Sequence, residues 1–184
     1  SKNYKIRFRR LIMNLKKYIL PISFCFLLGI ICSCIPTFKM TGTTLDYTKI
    51  KTLSIENFQN RSTLVYGPLM STFNNELIDT YRKQTRLEHV KTGGDLHLEG
   101  EIISYDLKPL SIKSDALAAE TRLTITVNVR FTNNVNEDES FEKNFSAYQD
   151  FESTKMLSDV QDELISLIIT DLVDMIFNAT VANW

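Results

Sequence analysis

The stretch Arg122-Leu123-Thr124-Ile125-Thr126-Val127-Asn128-Val129-Arg130-Phe131-Thr132 alternates without a fault. Leu123, Ile125, Val127, Val129 and Phe131 share one parity, and the polar residues between them share the other. A pleated strand sends successive side chains to opposite faces, so this segment reads as a strand with one apolar and one polar face. A sheet built from such strands is covered on one side only. The run Asn133-Asn134-Val135-Asn136-Glu137-Asp138-Glu139-Ser140 is polar and acidic, the composition of a solvated hairpin tip. Phe141, Phe145, Ala147 and Phe151 then resume one parity and give the returning strand.

Upstream, Thr92-Gly93-Gly94-Asp95 is a loop signal, and a strand runs from Leu96 to about Leu107. Its alternation breaks midway. Leu96, Leu98, Gly100 and Ile102 hold one parity, whereas Ile103, Tyr105 and Leu107 hold the other. A one-residue slip exchanges faces, so a bulge near Ile102-Ile103 is expected. Pro109 stops the strand, and 110–117 form a loop. Further upstream, 50–58 read as the first strand and 57–61 as a turn.

A half-covered sheet needs a lid, and two helices supply it. After Pro68, Leu69, Phe73, Leu77 and Tyr81 recur every four residues, with Met70 and Ile78 widening the stripe. The second helix opens on Ser158, with Gln161 three residues later as a capping box. Asp159, Asp162 and Glu163 suit its positive end. Val160, Leu164, Leu167, Ile168, Leu172, Met175 and Ile176 form its apolar stripe, widened by Ile165, Ile169 and Val173. The order β-α-β-β-β-α, with the helices segregated to one face, predicts an α+β two-layer sandwich: two helices on a roughly four-stranded mixed sheet. Phe58, Tyr66, Tyr148, Phe151 and Trp184 fall at element ends, where partial exposure is expected.

The N-terminal part differs in kind. Lys16-Lys17 precedes an apolar run that ends in Ile31-Cys32-Ser33-Cys34. A basic flank, an apolar stretch and a small-residue site form the layout of a secretory signal peptide. The last four residues resemble a bacterial lipobox, which implies cleavage before Cys34 and its modification by diacylglycerol and a fatty acid. The rival is a transmembrane anchor, since 18–35 hold no charge and approach the ~20 apolar residues of a spanning helix. Pro21, Gly29, Ser23 and Ser33 weaken that rival. The expected division is a signal peptide over 1–33, with 1–12 as a possible upstream extension, a lipidated tether over 34–49 and one domain over 50–184.

Charge and cysteine usage fit export. Of 21 basic and 22 acidic residues, seven basic and no acidic ones precede Cys34, which leaves the remainder at −8. A domain that acidic is a poor nucleic-acid partner. All three cysteines, Cys25, Cys32 and Cys34, lie in the signal region, so the domain must fold without a disulfide. Roughly 150 residues suffice for one core.

Catalytic signatures are missing. His89 and His97 are the only histidines, and no Cys or Glu flanks them at a zinc-motif spacing. His97 takes the parity opposite Leu96 and Leu98, which predicts a surface histidine. The sequence has no G-x-S-x-G and no Walker loop, and Gly93-Gly94 precedes a strand where a phosphate cradle precedes a helix. Glu137-Asp138-Glu139 lacks the ligand spacing of a calcium loop. No enzyme, metal site or cofactor is expected beyond the acyl groups on Cys34.

The chain from Cys34 onward resembles the LptE family as found in Bacteroidetes-type bacteria. The residues that carry the resemblance are 51–61 (Lys51-Thr52-Leu53-Ser54-Ile55-Glu56-Asn57-Phe58-Gln59-Asn60-Arg61), Gln84-Thr85-Arg86-Leu87, Asp95-Leu96-His97-Leu98-Glu99-Gly100-Glu101-Ile102, and the closing Ile176-Phe177-Asn178-Ala179 with Asn183-Trp184. The resemblance implies a non-catalytic outer-membrane lipoprotein that binds and plugs an LptD-like β-barrel and assists lipopolysaccharide transport to the outer leaflet. It implies lipopolysaccharide contact by basic residues at a loop tip, for which Lys108, Lys113 and Arg122 are the candidates, since cations pair with phosphate. The alternative is an adaptor or binding lipoprotein of another envelope complex.

Overall fold

The computed structural model describes residues 45–63, 66–110 and 120–182. Its sheet comprises β1 (Thr52–Ile55), β2 (Gln59–Asn60), β3 (Glu88–His89), β4 (Leu96–Pro109), β5 (Glu120–Asn133) and β6 (Phe141–Glu152). Its helices are α1 (Leu69–Gln84) and α2 (Leu157–Phe177), the latter followed by a π-turn over Asn178–Ala182. The strand order is β3-β1-β4-β5-β6, with β2 also paired to β4. β1 is parallel to β3 and β4, whereas β4-β5-β6 is an antiparallel meander. The expected α+β architecture, two helices on a mixed sheet, is the one observed, with two short strands added.

The alternating stretch behaves as its parity dictates. Leu123, Ile125, Val127, Val129 and Phe131 are all buried beneath the helices. On the opposite face, polar residues pair across strands: Asn128 donates to Asn144 at 2.9 Å, and Thr126 and Ser146 lie 3.1 Å apart. Leu69, Phe73, Leu77 and Tyr81 of α1 are wholly buried, and Tyr81 packs edge-on against Phe177 of α2 at 5.2 Å. The Tyr81 hydroxyl hydrogen-bonds Thr180 in the π-turn, and burial pushes its pKa up.

Four local expectations are corrected. The apolar stripes are wider than the surfaces they cover, so Met70, Leu167 and Met175 are exposed. The capping box at Ser158 does not form. Met156 is the N-cap, and Gln161 instead donates to the Tyr105 hydroxyl at 2.6 Å, which ties α2 to β4. The expected turn at 57–61 contains β2, which resumes the parallel pairing with β4 that β1 began. Phe58 between them is fully buried, with its ring 5.2 Å from that of Phe73. The folded unit also reaches back before Ile50: Leu45 is buried, and Asp46 closes a turn by accepting from the amides of Lys49 and Ile50 through its carbonyl.

The loop before β4 holds β1 through one side chain. Asp95 Oδ2 accepts from the amides of Lys51 at 2.8 Å and Thr52 at 3.0 Å, and the Asp95 amide donates to Thr52 Oγ1 at 2.8 Å. The Lys51 N–H leads the causes that hold the Asp95 carboxyl below its ordinary range, against a smaller opposing effect of burial. A carboxyl depressed on folding adds stability that is complete above its unfolded pKa of about 3.9, and loses it as pH falls through the lower folded value. Thermal melts from pH 6 to pH 2 should therefore fall more steeply for the wild type than for Asp95→Asn. Parallel curves would remove Asp95 from the acid response.

Candidate functional site

The bulge decides what the far end of the sheet presents. Register between β4 and β5 runs Ile102↔Val127 and then Ser104↔Thr126, so Ile103 is the extra residue. Before it, even-numbered residues face the core. After it, Tyr105 is buried and Ser104, Asp106 and Lys108 take the open face. Without the slip, Lys108 would share the parity of Leu96 and Leu98 and turn inward. The bulge therefore sets Lys108 directly opposite Arg122, which in turn stands opposite Asp150 of β6.

The two cations in this row are not equivalent. Arg122 is clamped: its Nε and Nη2 donate to Asp150 Oδ1 and Oδ2 at 2.7 and 2.8 Å. Its guanidinium also stacks on the Tyr148 ring, 3.6 Å from the centroid. The hydrogen bond from Arg122 holds the Asp150 carboxyl below its ordinary range. Lys108 is exposed and has no ion-pair partner among the described residues. Among the described residues Lys108 is the unpaired cation of this row, whereas the Arg122 charge is already offset by Asp150.

Of the other candidates, Lys113 lies outside the described residues, in the segment joining β4 to β5, and Cys34 and Trp184 lie outside them as well. Tyr148 is half exposed, as its place at an element end implies, whereas Phe58 is core. The acidic tip forms a 3-10 turn at Glu137–Glu139, and its Glu139 carboxylate accepts from Asn136 at 2.6 Å and from Asn133 at 2.5 Å. The tip is thus occupied with its own turn.

Sequence reasoning missed Asp150 and Tyr148 as the partners of Arg122. Both were recoverable. The hairpin pairs Phe131 with Phe141, and continuing that register by parity brings Arg122 to Asp150. The histidines prove unrelated. His89 lies on β3 in the row of Leu53, toward the core, while His97 lies on β4 in the row of Ser54, on the open face.

A family model described as LptE, lipopolysaccharide-assembly, matches residues 50–180. A search of curated proteins returned no match. Among solved structures, the chain is similar to lipoprotein B from Nitrosomonas europaea, at 15% identity over 69% of this chain and 79% of that one, with a TM-score of 0.46. It is similar to the rare lipoprotein B from Shewanella oneidensis, at 16% identity over 70% and 90%, with a TM-score of 0.40. It is also similar to a minor lipoprotein from Acinetobacter baumannii, at 14% identity over 69% and 89%, with a TM-score of 0.44.

Proposed function

Since this chain belongs to the LptE lipopolysaccharide-assembly family, we propose that it is anchored by lipid on Cys34 in the outer membrane, plugs an LptD-like β-barrel and assists lipopolysaccharide transport to the outer leaflet. The family is one of non-enzymatic lipoproteins of the bacterial envelope. The observation that carries the reading is the extent of the match. Residues 50–180 run from the segment before β1 into the π-turn, so membership applies to the folded domain and not to a fragment of it.

A detergent pull-down of the tagged, lipidated protein from outer membranes tests the partner. Recovery of a large β-barrel in about equal amount is the expected result. Recovery alone, or with an unrelated envelope complex, would favour the adaptor reading. Cys34→Ala should abolish lipidation and block normal maturation. A Cys34→Ala protein that still matured normally and stayed membrane-bound would favour a spanning anchor.

Lipopolysaccharide contact rests on Lys108 and Lys113, with Arg122 in a secondary place because Asp150 already neutralises it. Hydrogen bonds between charged groups contribute about 1.5–3 kcal/mol each, so Lys108→Ala/Lys113→Ala should weaken binding of purified lipopolysaccharide by about 10-fold or more. Arg122→Ala should weaken it less, and Asp150→Asn should strengthen it. Calorimetric titration in detergent reads all three, and a double-lysine variant that binds like the wild type would remove this site.

A further inference from the structure

The open face carries a second cluster, at the seam between β1 and β4. The two strands are parallel in the register Ser54↔His97 and Ile55↔Leu98, which brings Glu56, His97 and Glu99 together above Ser54. His97 Nε2 lies 3.6 Å from Glu56 Oε1 and 3.9 Å from Glu99 Oε2. Both separations are too long for hydrogen bonds. Both suit donors sharing one cation, because ligands ~2.1 Å from a tetrahedral centre lie roughly 3.4 Å apart.

The supporting contacts aim these atoms. His97 Nδ1 lies 2.8 Å from Ser54 Oγ, and that fully buried hydroxyl donates to the Leu96 carbonyl at 3.4 Å. In the tautomer with the proton on Nδ1, Ser54 Oγ accepts from Nδ1–H and the Nε2 lone pair faces the two carboxylates. A ring nitrogen fixed by a buried oxygen while the other faces outward is the usual support of a metal-binding histidine. Glu99 is braced in the same manner: its Oε1 accepts from Arg130 Nη1 at 2.8 Å, leaving Oε2 toward His97. A lone pair and two carboxylates in mutual view repel one another until a positive charge stands between them.

We propose that Glu56, His97 and Glu99 bind one divalent transition cation of the zinc type, with water completing its coordination. One imidazole and two carboxylates form a donor set that such ions accept. The ligands come from both sides of the seam, so the ion ties β1 to β4 beside their short run of parallel pairs. This site lies apart from the Lys108–Arg122 row and does not depend on the proposed lipopolysaccharide role.

The test is calorimetric titration of zinc chloride into the chelator-treated, lipidated mature protein in detergent, which carries no free thiol. One ion per chain is expected. His97→Gln and Glu99→Gln should each weaken binding on the order of 100-fold, Ser54→Ala by about 10-fold, and His89→Gln not at all. Cobalt(II) in place of zinc should give visible absorption that Glu99→Gln diminishes and His97→Gln removes. Circular dichroism shows whether each variant is folded, and Glu99→Gln decides the matter should His97→Gln fail to fold. Absence of uptake by the wild type would overturn the proposal. Equal uptake by wild type and variants would also overturn it.

Discussion

Gly100→Ala is expected to lower the unfolding midpoint by about 6–12 °C, and Gly100→Val to prevent folding. Gly100 faces the core from β4, and a Cβ built there would sit 2.2 Å from the Asn128 carbonyl oxygen and 2.5 Å from Cε1 of Phe58. The first neighbour is backbone. It can withdraw only by disturbing the ladder at Gly100↔Val129 and Glu101↔Asn128. The second is a ring with no exposure, already packed on Phe73. Neither offers a flexible end that could give way. Overpacking a core costs about 1–3 kcal/mol and sometimes more, and the upper end applies where backbone is struck. Each kcal/mol shifts the midpoint of a domain this size by about 2–4 °C. Melts followed by circular dichroism measure it, and an alanine variant within 2 °C of the wild type would show that the strand shifts freely.

The second large effect falls on the other end of the same contact. Asn74 of α1 is buried, and its amide serves the backbone of Phe58 on both sides. Oδ1 accepts from the Phe58 N–H at 2.8 Å, and Nδ2 donates to the Phe58 carbonyl at 3.1 Å and to the Met70 carbonyl at 2.8 Å. Between β1 and β2 the chain leaves the sheet, so Phe58 has no strand partner, and the asparagine side chain takes that place. Asn74→Ala strips both groups of Phe58 at once. A buried polar group left unsatisfied costs about 1–3 kcal/mol, so the variant should lose about 2–5 kcal/mol. Asn74→Asp keeps the acceptor but turns an oxygen toward two carbonyls, and it should be no better than alanine at neutral pH. Urea denaturation should show a lower midpoint at an unchanged slope. A loss under about 1 kcal/mol would mean that water replaces the amide.

Periodicity made the local elements legible. The faultless alternation of 122–132, the four-residue recurrence from Leu69 to Tyr81 and the parity break at Ile102-Ile103 each became the element they implied, the last as a bulge at one residue. What eluded the sequence depends on partners distant along the chain. Two-residue strands such as β2 and β3 are too short to show a period. The burial of Phe58 follows from Gly100 and Asn74, which carry no outward sign of it. The capping box failed because the helix already begins at Leu157, which puts Ser158 inside its first turn, and Gln161 bonds the Tyr105 hydroxyl. At the candidate site, residue types pointed to Lys108 and Arg122, but only pairing across strands shows that Arg122 is engaged by Asp150 while Lys108 has no ion-pair partner among the described residues. The cluster around His97 was invisible for the same reason: Glu56 meets it through the β1–β4 register and not through spacing along the chain.

The place of β1 between β3 and β4 bears on the order in which the molecule assembles. The β5–β6 tip is held by contacts such as that of Asn133 with Ser140, 7 residues apart, whereas Thr52 and Asp95 are 43 apart. Closing the longer loop costs about 1.6 kcal/mol more in chain entropy. The meander can therefore gain its contacts early, while β1, first in the sequence, must wait for α1 and β3 to be laid down before its parallel neighbours exist. The strand made first is then the last to be secured, and the sheet closes around it.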